Sequence, residues 1–121
     1  MESKAINSEE KFNKFSDQWA PKIIAQLNDH HIKLVRVRGD FTWHARKYTG
    51  EVFMVVEGEL RIDFRDGEVT LQEGELFVVP KGVEHKPFAE KECEMLLVER
   101  AGTVNTGDAG GDQTAPNDVW I

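Results

Sequence analysis

The sequence predicts an all-β fold, a sandwich or a barrel, with a short N-terminal helix and an extended C-terminal tail. From Gly39 onward, short apolar runs are separated by Gly-containing turns, and no helical period interrupts them. The run at 60–64 alternates apolar and polar side chains, as does a strand with one buried face. We divide the chain into a helical segment (residues 1–20), a β-barrel (residues 21–100) and an extended tail (residues 101–121).

Length, charge and cysteine usage limit the classes of function. A chain of 121 residues buries enough surface to fold without a disulfide or a structural metal, so any metal would be functional. The formal net charge of -7 disfavours nucleic acid as a partner. Cys93 is the only cysteine, and no apolar run is long enough for a signal peptide or a membrane span. We expect a cytoplasmic protein without a membrane partner, in which Cys93 belongs to the core.

The first elements are predicted from their flanking residues. Ser8 precedes two acids and marks a helix start, because acids stabilise the positive end of a helix. Phe12 and Phe15 are expected to dock this helix on the body of the protein. Strands at 23–27 and 31–39 then flank an Asn-Asp turn.

The remaining strands are expected to be five to nine residues long, and the last of them covers 92–100. The Asp66-Gly67 pair predicts a tight hairpin, because this dipeptide tolerates the positive φ angles of such turns. The tail after Arg100 is polar and Gly-rich, so it buries little apolar surface. Val119, Trp120 and Ile121 are expected to anchor its end.

Two polar clusters predict a pocket at one end of the barrel. His44 and Arg46 are two residues apart, so on a strand they point to the same face. Glu51 opens the next strand, and Phe53 shares its face. In the second cluster, a Pro-Lys-Gly turn is followed by His85, which begins the returning strand.

Together the two clusters resemble the motifs of the cupin superfamily. The resemblance covers about residues 31–100, and it rests on Gly39, His44, Glu51 and Gly58 in the first motif and on Gly74, Pro80, Gly82 and His85 in the second. Arg46 stands where the first motif usually has a histidine, and Ala89 replaces a customary asparagine. The resemblance implies a double-stranded β-helix, or jelly roll, of the small mannose-6-phosphate-isomerase-like type, and a homodimer.

In the cupins that bind a metal, the resemblance implies that His44, Glu51 and His85 are three of four ligands. These three suit a divalent ion such as zinc, iron, manganese or nickel. Arg46 cannot be the fourth ligand, because a guanidinium has no lone pair to offer. An ion pair between Arg46 and Glu51 would satisfy both charges without a metal.

Three hypotheses stay open, and the first is favoured. In the first, a small polar or anionic molecule is bound by a pocket formed by His44, Arg46, Glu51, Phe53 and His85. The second is a metal-dependent dioxygenase or isomerase, although no nucleophile or matched acid and base can be named. The third is a structural or regulatory homodimer with a vestigial pocket, joined through the outward stripe of Val52, Met54 and Val56.

Overall fold

The computed structural model describes residues 1 and 3–121, and there it shows one short helix and seven antiparallel strands. These are α1 (Ser8–Phe12), β1 (Lys22–Leu27), β2 (His30–Asp40), β3 (Glu51–Glu57), β4 (Leu60–Phe64), β5 (Gly67–Leu71), β6 (Leu76–Val79) and β7 (His85–Arg100). The strand order is β1-β2-β7-β3-β6, and β4 joins β5 to β7. The predicted all-β barrel is confirmed.

Strand β7 connects the two parts of the sheet. Its first residues pair with β4, where His85 lies opposite Phe64, and its later residues pair with both β2 and β3. The expected strand at 92–100 forms the second part of β7, and the strand expected to begin at His85 forms its first part, because β7 runs unbroken through 16 residues. The segment Ala89–Cys93 contains no glycine or proline that would end the strand.

The core lies between these two parts of the sheet. Alternate residues of each strand point inward, as the alternation of buried and partly buried positions in β3 shows. The cluster includes Val35, Val37, Phe53, Val55, Leu60, Ile62, Leu71, Val79, Ala89, Cys93, Met95 and Leu97. Cys93 is therefore a core residue, as expected.

Helix α1 packs outside the barrel against β2. Asn7, rather than Ser8, caps it by accepting a hydrogen bond of 2.9 Å from the Glu10 amide. Phe12 is buried, and the Arg36 guanidinium donates to the carbonyls of Phe12 and Phe15. The helix is thus tied to the sheet by one aromatic ring and one arginine.

The β4–β5 hairpin is confirmed, but its loop differs from the expectation. Phe64 pairs with Gly67, so the two loop residues are Arg65 and Asp66. Gly67 is the first residue of β5 and does not have a positive φ.

The tail crosses one end of the barrel in a series of turns and returns to β1. The Ile23 amide donates to the Val119 carbonyl over 2.7 Å, and the Ile121 amide donates to the Ile23 carbonyl over 3.1 Å. The predicted anchor is confirmed, although it is made by backbone, and the Trp120 side chain is 53% exposed. Within residues 1 and 3–121, no helix has the length and apolar character to cross a membrane.

Candidate functional site

His44 reaches the pocket from the connection between β2 and β3. The structure does not place it on a strand as expected: it forms an isolated bridge with His85. The His44 amide donates to the His85 carbonyl over 3.0 Å, and the His85 amide donates back over 2.9 Å. This bridge brings the two imidazole rings to a centroid distance of 4.3 Å.

Backbone carbonyls orient both imidazoles in the same way. The Nδ1 atoms of His44 and His85 each lie 2.9 Å from a carbonyl oxygen, of Thr42 and Val83 respectively. Each Nδ1 therefore carries the proton, and each Nε2 presents a lone pair to the interior. Burial lowers the pKa of His44 to about 4, helped by the nearby His85, and burial also lowers the pKa of His85.

Arg46 is at the centre of the site, and its side chain is 7% exposed. Its Nη1 donates to His44 Nε2 over 3.1 Å, so it uses the lone pair that a metal ligand would need. Its Nη2 lies 2.8 Å from Glu51 Oε2 and donates to the Asn105 carbonyl over 3.1 Å. Arg46 thus joins the connection that carries His44 and the start of β3 to the tail.

Two charged residues that the sequence reasoning missed lie deeper in the barrel. Lys33 and Glu99 form an ion pair of 2.8 Å, and each side chain is 1% exposed. Glu99 also lies 3.7 Å from Arg46 Nη2. The sequence did contain a signal for Lys33. Lys33 is two residues from Val35, so on a strand both side chains point to the inward face of β2.

The pKa values of the two carboxyl groups of the site are shifted in opposite directions. Burial raises the pKa of Glu51 well above its usual range, and the charge of Glu99 adds to that shift, although Arg46 opposes it. Burial would also raise the pKa of Glu99, but a hydrogen bond from Glu51 and the charge of Lys33 together hold it below its usual range. These shifts make Glu51 the carboxyl group that takes up a proton more readily and Glu99 the one that more readily stays ionised.

A cavity of about 30 Å³ lies beside these groups, which is room for one or two water molecules. Four of the five predicted ligand-binding residues line the cavity: His44, Arg46, Glu51 and Phe53. His85 lies behind His44, with its ring centroid 5.9 Å from that of Phe53. Further lining comes from Trp19, Pro21, Val35, Val37, Phe41, Pro87, Met95, Leu97, Glu99 and Asn105.

The arrangement of His44, Glu51 and His85 does not fit a metal ion. The Arg46 guanidinium lies between the ligands, bonded to His44 Nε2 and next to Glu51. In the part of the chain that the structure describes, no three His, Cys, Asp or Glu side chains are grouped as metal ligands. Metal binding at these residues requires Arg46 to leave.

Comparisons with known proteins agree with this architecture. The family model of the cupin domain, Cupin_2, matches residues 33–99. A crystal structure of a cupin-2 domain containing protein from Shewanella frigidimarina is 52% identical, with a TM-score of 0.78 over 78% of this chain and 93% of that one.

Two curated sequences are also similar. The uncharacterized protein YdbB of Bacillus subtilis is 36% identical over 88 residues, which is 72% of this chain and 78% of YdbB. The 3-hydroxyanthranilate 3,4-dioxygenase 2 of Aspergillus fumigatus is 30% identical over 91 residues, which is 69% of this chain. This chain spans only 46% of that dioxygenase.

Proposed function

The chain belongs to the cupin family, and from that premise we propose that its barrel binds a small anion through the Arg46 guanidinium. The observation that supports this proposal is the position of Arg46, which is buried between His44 and Glu51. A metal cation at these residues would recruit an anionic ligand, and here a fixed guanidinium supplies the positive charge instead.

The charge balance of the site favours an anion over a neutral ligand. The raised pKa of Glu51 favours its neutral form, which does not neutralise Arg46, and the anion of Glu99 is shared with Lys33. A buried, incompletely balanced cation is costly, and a monoanion next to Arg46 removes that cost. We expect the ligand to carry one negative charge.

An unused donor supports the position that we propose for the anion. Among the described residues, Arg46 Nε is a buried hydrogen-bond donor with no partner. A planar carboxylate accepts two parallel hydrogen bonds from a guanidinium, and Arg46 Nε with one Nη forms such a donor pair. The apolar wall of Phe41, Phe53 and Met95 favours a ligand whose other end is apolar. A small monocarboxylate meets both requirements.

Acetate and acetamide, which have similar shapes and differ in charge, test this proposal. We expect acetate to shift the amide NMR signals of residues around Arg46 in a saturable way and to bind at least about tenfold more tightly than acetamide. Arg46→Met is expected to abolish this preference, whereas Arg38→Met, at an exposed position on β2, keeps it. Equal binding of acetate and acetamide, or unchanged acetate binding by Arg46→Met, would contradict the proposal.

A metal-dependent dioxygenase or isomerase is the second candidate. It is supported by the similarity to the Aspergillus fumigatus dioxygenase and by the presence of three metal-ligand residue types at the motif positions. It requires a conformation in which Arg46 releases His44 and Glu51. His85→Ala should then abolish both metal binding and turnover, and turnover that survives this change would exclude His85 as a required ligand.

An outward apolar surface supports self-association alongside either function. Val52 and Met54 on β3 pair with Val78 and Leu76 on the edge strand β6, and Leu76 and Val78 are more than half exposed. We propose that this face joins two copies in a homodimer. Leu76→Lys should lower the mass measured by light scattering to that of one chain, whereas Leu27→Lys, at another exposed leucine, should not.

A further inference from the structure

We infer that residues 104–115, called here the tail gate, close the pocket and must open to admit the ligand. The inference rests on the proposed function, because it assigns a regulator to the same site. The cavity of about 30 Å³ holds one or two waters, so a bound carboxylate needs more room than the pocket has with the gate in this position.

The gate contacts the guanidinium of Arg46, the group that we propose binds the anion. The Asn105 carbonyl oxygen accepts a hydrogen bond of 3.1 Å from Arg46 Nη2, and Asn105 lines the cavity. This carbonyl oxygen lies where an oxygen of a bound anion would contact the guanidinium. The closed gate is therefore a neutral substitute for the ligand, and ligand and gate compete for Arg46.

Polar contacts hold the gate against the rim of the barrel. The Ala45 amide donates to Asp108 Oδ1 over 2.9 Å, and the Asp108 amide donates to the Ala45 carbonyl over 3.2 Å. On the opposite side, Asn105 Nδ2 donates to the Trp19 carbonyl over 2.8 Å. The gate thus spans the pocket from Trp19 to the segment that carries His44 and Arg46.

The gate also forms a closed loop of its own. Asn105 Nδ2 donates to the Gln113 carbonyl, the Ala115 amide donates to Asn105 Oδ1, and the hydroxyls of Thr106 and Thr114 are 2.7 Å apart. None of its residues belongs to the apolar core cluster. A segment held by hydrogen bonds, without a large apolar contact, opens more easily than the strands below it and can move as one unit.

Gly107 provides a way to disturb the closed gate without replacing any side chain of the pocket. Its φ is +55°, and an added Cβ would lie 2.5 Å from the Ala45 carbonyl oxygen and 3.2 Å from His44 Cδ2. Gly110 has a similar φ of +63°, but an added Cβ there meets nothing within 4 Å. Gly107→Ala therefore adds a clash with the rim, while Gly110→Ala adds only the backbone strain that both variants share.

The experiment compares these two variants with the unmodified protein. Hydrogen exchange at the amide of residue 108 reports opening, because this amide donates to the Ala45 carbonyl when the gate is closed, and neither variant removes that backbone bond directly. We expect Gly107→Ala to accelerate this exchange at least about tenfold and to tighten acetate binding, and Gly110→Ala to do neither. Asp108→Ala removes the side-chain contact to the Ala45 amide, with the exposed Asp112→Ala as its control, and should reproduce both effects.

Three outcomes would overturn the inference. If the amide of residue 108 exchanges no faster in either gate-opening variant than in its control, residues 104–115 are not a gate. If exchange accelerates while acetate affinity stays at the unmodified level, opening does not control binding, and the proposed function survives. If exchange accelerates and no variant binds acetate, the proposed anion function fails and the gate has no ligand to admit.

Discussion

Replacing Glu99 with glutamine should destabilise the protein far more than the same change at Glu51. Glu99 lies 2.8 Å from Lys33 and 3.7 Å from Arg46, so its charge faces two buried cations. At an effective dielectric constant of about 20, these attractions are about 6 and about 4 kcal/mol before desolvation. Breaking a buried pair by removing one partner typically costs about 3–5 kcal/mol net, which is the loss that we expect for Glu99→Gln.

Glu51→Gln should cost less than about 1 kcal/mol, because the raised pKa of Glu51 favours its neutral form and an amide N–H can replace its donated hydrogen bond to Glu99. Urea unfolding at pH 7 measures both changes, and at this chain length Glu99→Gln should also lower Tm by roughly 10–20 °C. The raised pKa of Glu51 means that the unmodified protein loses stability as the pH rises through that pKa, and Glu51→Gln removes this loss. Equal destabilisation by the two variants would refute the assignment of the neutral form to Glu51 and of the charged form to Glu99.

Two further predictions concern buried titratable groups. Because the pKa of His44 falls from 6.5 to about 4 on folding, its contribution to stability is complete above pH 6.5 and declines towards pH 4, by about 3 kcal/mol in all. Unfolding midpoints measured across this pH range should fall less steeply in His44→Gln than in the unmodified protein. In His30→Gln, where the replaced side chain is half-exposed, they should fall as in the unmodified protein. If the midpoints of both variants fall equally steeply, the lowered pKa of His44 is contradicted. Burial raises the pKa of Cys93 to about 12, so a thiol reagent at pH 8 should react with this residue only after unfolding. Rapid labelling of Cys93 in the folded protein would show that it is not a sealed core residue.

The barrel and the position of its pocket were predictable because the signals are local. Alternation within β4 and the turn residues between strands specify an all-β chain without any knowledge of strand pairing. The polar residues at 44, 46 and 51 lie close together in sequence, so a short connection was enough to bring them together. These side chains meet even though residues 44–46 do not form the expected strand, because the bridge between His44 and His85 orients this part of the chain.

The buried ion pair was not predictable, because it depends on long-range register. Lys33 pairs with Leu97 across β2 and β7, and this register places the inward Glu99 beside the Lys33 ammonium. A slip of one residue would turn Glu99 away from the barrel. Single-sequence reasoning gives the face of each strand and leaves its register open.

The role of the tail was also hidden, because its composition resembles that of a solvated segment. Residues 101–118 are rich in glycine and polar side chains, yet Asn105 and Thr106 are buried. The side-chain amide of Asn105 donates to the backbone carbonyls of Trp19 and Gln113, and the backbone carbonyl of Asn105 accepts a hydrogen bond from Arg46. Such contacts need few apolar atoms, so hydropathy does not reveal them.

The most direct test of the account is the metal content of the protein purified without a histidine tag, measured by elemental analysis. We predict that the unmodified protein holds far less than one equivalent of zinc, iron, manganese or nickel, since Arg46 occupies the donors of His44 and Glu51. Arg46→His should gain a metal, whereas Arg46→Met, which removes the cation without adding a donor, should not. A stoichiometric metal in the unmodified protein would contradict the claim that a guanidinium has replaced the metal in this barrel.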